Sequence, residues 1–87
     1  MRKTYHQILK DRFHIRLIRT RVRLEMTQAQ MAERLYMDER SYSDLDTGKS
    51  CCSAVTLALF LVYVCEDVNG FMEELRHAFE AGSENVA

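Results

Sequence analysis

Residues 37–46 read MDERSYSDLD, and Lys49 follows three positions later. Asp38, Glu39, Arg40, Ser41, Asp44 and Lys49 put donors, acceptors and both signs of charge on one short segment. That set suits the reading of polar edges and phosphates better than bond-making. Ser41 and Ser43 have no histidine–carboxylate arrangement to activate them, so no enzyme activity is expected. His6, His14 and His77 are scattered. Cys51, Cys52 and Cys65 form no Cys-x-x-Cys pair and have no histidine near them in sequence, which argues against a zinc site. An odd cysteine count with two adjacent members is also a poor disulfide framework, and reduced thiols in a cytoplasmic protein are the expectation. No cofactor, metal or small-molecule substrate is implied.

Bulk properties bound the architecture that must position these residues. Eighty-seven residues with no proline and three glycines are enough for one modest helical core. The longest apolar run, residues 54–65, is too short to span a bilayer and ends at Glu66 and Asp67. Formal net charge is −1, yet residues 1–24 carry eight basic side chains and one acid. Such asymmetry suits a polyanionic partner at the N-terminal end, or equally a helix whose charges offset those of its neighbours.

Apolar spacing predicts five helices. The first runs from about Lys10 to Leu24, with Phe13, Leu17, Thr20 and Leu24 on one stripe and Ile15, Ile18 and Val22 on a second. Thr27-Gln28-Ala29-Gln30 is a capping box opening the second helix. Asp38 caps a third that reaches about Asp46, with Tyr42 and Leu45 inward, and Gly48 follows its end. Ser53 opens a fourth that ends near Cys65, and Phe71 to about Ala81 forms the last. The reading is a single all-α domain over residues 1–87, with its core at about 10–81, an extension at 1–9 and a frayed tail at 82–87.

Residues 27–50, TQAQMAERLYMDERSYSDLDTGKS, resemble the phage-repressor (Cro/cI, XRE) type of helix-turn-helix regulator. Met26, Thr27, Gln28, Met31, Ala32, Leu35, Met37, Ser43, Gly48 and Lys49 match the family pattern, Asp46 takes its acidic position, and Ser53, Thr56, Leu57, Phe60 and Val64 continue in register. The resemblance covers about residues 16–75 and implies a compact five-helix, lambda-repressor-like domain with the helix-turn-helix at helices 2 and 3. It implies that Thr27 and Gln28 meet a phosphate and that Glu39, Arg40, Ser41 and Asp44 approach base edges or flanking phosphates. Lys49 would contact backbone, and Arg21 would pair with Asp46. Three departures stand out: Tyr36 in place of the turn glycine, Tyr42 in place of isoleucine, and Cys52 where proline is common.

Against the same family, the outward positions of helix 4 are apolar here: Val55, Leu59 and Val62. An uncovered stripe of this kind marks an interface, unless Tyr5, Ile8 and Leu9 fold back over it. The expected function is therefore a sequence-specific transcriptional regulator that binds double-stranded DNA as a homodimer and reads a pseudo-palindromic operator through helix 3. The alternative is a protein-interaction module, antitoxin-like or adaptor, on the same fold.

Overall fold

A chain free of proline and rich in straight-chain residues folds wherever it can cap a helix. A computed structural model describes the backbone of residues 2–86 and the side chains of residues 4–82. It contains five helices: α1 (Arg2–Arg23), α2 (Gln28–Arg34), α3 (Glu39–Asp46), α4 (Ala54–Leu59) and α5 (Val68–Val86). A π-helical turn, Phe60–Val64, extends α4. No strand occurs among the described residues.

Each of the three central helices starts on a side-chain cap. The Thr27 hydroxyl accepts from Gln30 N at 3.1 Å while Gln30 Oε1 accepts from Thr27 N at 2.8 Å. Asp38 and Ser53 cap α3 and α4 through the amides of Ser41 and Thr56. The first three helices also end alike. After α1, Met26 N donates to Arg21 O and Glu25 N to Val22 O; Ala32 and Glu33 accept in the same way after α2, and Asp44 and Leu45 after α3. This paired closure needs one residue in the left-handed region, supplied by Glu25 (φ 55°), Tyr36 (φ 55°) and Gly48 (φ 79°). At Gly48 the ring of His14 lies so close that an added Cβ would approach it to 3.3 Å.

Phe13, Leu17, Met31, Ala32, Leu35, Tyr42, Leu45, Phe60, Val64, Phe71 and Leu75 form one buried cluster. Phe13 and Phe71 meet Phe60 edge-on, with centroids 5.2 and 6.0 Å away, a preferred aromatic geometry.

The ends of the chain differ from the sequence expectation. Residues 2–9 are not an extension but the first turns of α1, because nothing in them interrupts the helix and α5 receives them. Tyr5 meets Phe79 edge-on at 5.4 Å. Gly82, which lacks a side chain, lets Ile8 approach so closely that a Cβ there would lie 2.5 Å from Ile8 Cδ1. Tyr5, Ile8 and Leu9 therefore serve α5 and leave the outer face of α4 uncovered. The last helix starts at Val68 rather than Phe71, since Asp67 accepts from Gly70 N (2.9 Å) through its side chain and from Phe71 N (3.1 Å) through its carbonyl. Its backbone is helical to Val86. The π turn was also not anticipated; Cys65 N closes it on Phe60 O at 2.7 Å. The result is elongated, 41 × 24 × 20 Å, as α1 alone, at 22 residues, spans about 33 Å.

Candidate nucleic-acid interface

Asp46 is the point where α1, α2 and α3 are tied together. It is 5% exposed, so its carboxylate must find its partners inside the protein. Arg21 on α1 supplies Nε to Oδ1 at 3.1 Å and NH2 to Oδ2 at 3.4 Å. Gln28 on α2 donates Nε2 to Oδ2 at 3.1 Å. Tyr42, one turn earlier on α3 and fully buried, donates its hydroxyl to Oδ1 at 2.8 Å. The carbonyl of Asp46 lies 3.2 Å from His14 Nδ1. Hydrogen bonding to Asp46 holds the Arg21 guanidinium above its ordinary pKa. Burial first, and then the bond to Asp46, raises the Tyr42 phenol well above its own.

The pairing expected for Arg21 and Asp46 is thus present, and two further partners complete it. Tyr42 stands four residues before Asp46 on one helix, a spacing that sequence reading could have used. Gln28 gives no such signal, because eighteen residues separate it from Asp46. Its amide, expected to face a phosphate, is engaged with the buried carboxylate of Asp46 in the protein alone.

The remaining α3 positions divide. Glu39, Arg40 and Lys49 are exposed and Asp44 is half-buried, and among the described residues none has a side-chain hydrogen bond or ion pair. Ser41 is exposed but committed, its hydroxyl donating to Asp38 Oδ1 at 2.7 Å while its amide donates to Oδ2 at 2.9 Å. Those two bonds hold the Asp38 carboxyl below its ordinary range. Ser41 is therefore part of the cap rather than a free reading group. Thr27 is likewise occupied by the capping box.

The basic α1 is partly neutralised from within. Arg16 meets Glu74 at 2.7 Å and Arg12 meets it at 3.7 Å, while Arg23 reaches Glu66 at 3.6 Å. Arg16 also lies over the Phe71 ring, 5.2 Å from its centroid. With Arg21 held by Asp46, four of the basic side chains of α1 are in ion pairs. The charge asymmetry of the sequence is thus in good part an internal pairing of α1 with its neighbours.

On the α4 face, Val55 and Val62 are each 69% exposed. Leu59, expected between them, is half-buried and packs on the core. The outward stripe therefore runs from Val55 to Val62 and Tyr63, the last two within the π turn.

The thiols are all free, and burial together with its neighbour Cys51 pushes the Cys52 thiol up to about 12. Among the described residues no three His, Cys, Asp or Glu side chains gather in one place, and no helix is long and apolar enough to cross a membrane. No family model matches the chain, and neither the curated proteins nor the solved structures give a match.

Proposed function

We propose that this chain is a DNA-binding regulator of the helix-turn-helix type, acting as a homodimer with α3 of each copy in the major groove. The observation that carries the reading is the contrast across α3. Its inner side is fixed to α1 and α2 through Asp46. Its outer side presents Arg40, Glu39 and Asp44, with Lys49 just beyond, none of them engaged. A recognition element needs that combination: a rigid base and free side chains that reach base edges. Arg40 is the group suited to a guanine edge, Glu39 and Asp44 to the amino group of cytosine, and Lys49 to backbone phosphate. Two copies related by a two-fold axis would read a pseudo-palindrome.

The test is selection of bound duplexes from a random library by the purified protein. An enriched palindrome supports the reading. Absence of enrichment, together with binding that shows no fall with salt, overturns it.

A second reading has its own support. Glu39 and Asp44 offset Arg40 and Lys49, so the outward side of α3 has no net positive charge, and Arg12, Arg16, Arg21 and Arg23 of α1 are spent on Glu74, Glu66 and Asp46. A face without net positive charge suits a protein partner better than a polyanion, in the manner of an antitoxin or adaptor module.

A further inference from the structure

Residues 50–65 carry no charged side chain. The inward side of their helical part, Phe60 and Val64, is buried in the core. The outward side is not: Val55, Val62 and Tyr63 are 69%, 69% and 62% exposed. Tyr63 lines an open groove together with Leu24 and Met26, and the far wall holds Tyr36, 79% exposed in its left-handed turn. Gln30, Glu33 and Arg34, all on α2, complete the lining. A ridge (Val55, Val62) and a groove (Tyr36, Tyr63) therefore stand side by side on one molecule.

We propose that a second copy of this chain docks here about a two-fold axis, Val62 of each protomer entering the Tyr36–Tyr63 groove of its partner. Three features select that occupant. A two-fold rotation places the same patch on both sides, which requires a surface that complements itself, and adjacent ridge and groove meet the requirement. The charged residues of the lining are one of each sign, Glu33 and Arg34, so a two-fold rotation can set Glu33 of one protomer against the partner's Arg34, and the reverse. The face between is uncharged, which suits neither phosphates nor a strongly charged peptide. Two tyrosines this exposed, at about 150–250 Å² each, offer most of the roughly 500 Å² per side that a small specific interface needs.

The inference rests on the homodimer part of the function proposed above and moves its centre from Leu59 to Val62 and Tyr63.

The test is sedimentation of the full chain from low to high micromolar concentration. The wild type is expected to dimerise with a micromolar constant, as fits an interface at the small end of the range. Val62→Lys is expected to be monomeric with unchanged helical circular dichroism. Glu33→Arg should weaken the dimer about tenfold or more, by setting like charges against each other. The double swap Glu33→Arg/Arg34→Glu should restore it, which a merely damaged fold would not do. A wild type that stays monomeric at high micromolar concentration overturns the proposal, as does a dimer indifferent to Val62→Lys or a folded double swap that is not restored. The two readings part cleanly under DNA titration. A monomer that still binds duplex with a steep salt slope sinks this interface alone, whereas a dimer blind to DNA sinks α3 as a reader and leaves the interface standing.

Discussion

Tyr42 and Asp46 sit one helical turn apart on α3, both buried, with the phenol hydroxyl 2.8 Å from the carboxylate. The carboxylate receives four hydrogen bonds in all, from Tyr42, Gln28 and twice from Arg21. A buried anion satisfied to this degree is a structural bolt and leaves no lone pair in reserve for chemistry. It fixes the pitch of α3 against α1 and α2, which is the geometric precondition for any role of the outward side of α3.

Breaking that bolt from its two ends should differ in cost. Asp46→Ala strands Arg21, Gln28 and the fully buried Tyr42 hydroxyl together, and is expected to cost about 3–5 kcal/mol. Arg21→Met leaves the carboxylate with two donors and should cost less, about 2–3 kcal/mol. The double variant should fall well short of the sum of the two. Urea midpoints with an unchanged slope give these values, and strict additivity would show that the two groups do not act as a pair.

High pH should loosen the fold through two buried groups. Cys52 is pushed from 9.0 up to about 12, and the phenol of Tyr42 is raised above 10.0. Both groups therefore release protons more readily in the unfolded chain. Their contribution is complete below pH 9 and is lost as pH climbs, first through Cys52 and then, beyond pH 10, through Tyr42. Cys52→Ala should flatten the early part of that loss. Tyr42→Phe should cost about 1–2 kcal/mol at neutral pH yet flatten the later part. Denaturation series at pH 7, 9.5 and 11 separate the two; parallel curves for wild type and both variants would refute the assignment.

Much of this was legible in the residues and some was not. The caps at Thr27, Asp38 and Ser53 are visible because one side chain and one offset define each. The inward set Phe13, Leu17, Tyr42 and Phe71 follows from helical spacing, and Phe60 from the resemblance. The first turns of α1 are not legible because Tyr5 and Ile8 find their partners on the far end of α5, at Phe79 and Gly82, which no local spacing reveals. Asn69-Gly70 reads as a turn until Asp67 is seen to cap it. Gln28 and Glu74 were missed as partners, since no local rule links residues eighteen or fifty-eight apart.

The two non-glycine left-handed residues offer a stabilisation that leaves every contact of the core in place. Glu25 and Tyr36 hold φ at 55°, a conformation that strains an L side chain by about 1–2 kcal/mol. Part of that is returned by glycine, whose unfolded chain is more disordered, so Glu25→Gly should gain about 0.5–1 kcal/mol. Glu25→Ala should gain nothing, and that contrast separates relief of backbone strain from loss of charge. Tyr36→Gly should show a similar gain when measured at concentrations where the chain is monomeric, because it also removes a wall of the groove. Equal effects of glycine and alanine at position 25 would mean that strain is not what the substitution relieves.

Recognition by α3 should separate its residues by the work each is free to do. Lys49→Ala removes an unengaged cation and is expected to weaken binding to all duplexes alike, with the salt slope reduced by about one. Arg40→Ala should relax preference at one position of the half-site, by about 1–3 kcal/mol for a bidentate contact. Ser41→Ala should leave sequence preference unchanged and lower thermal stability instead, because its hydroxyl is bound to Asp38. Gln28→Ala should also act on stability, by loosening Asp46. Neutralising Glu39 and Asp44 to Gln and Asn removes repulsion near the phosphates and should raise non-specific affinity. Fluorescence anisotropy on matched and scrambled duplexes across a salt series measures the binding effects, and thermal melts of Ser41→Ala and Gln28→Ala measure the losses of stability. If the double neutralisation leaves binding unmoved, those carboxylates do not approach the backbone, and the outward side of α3 faces a protein rather than DNA.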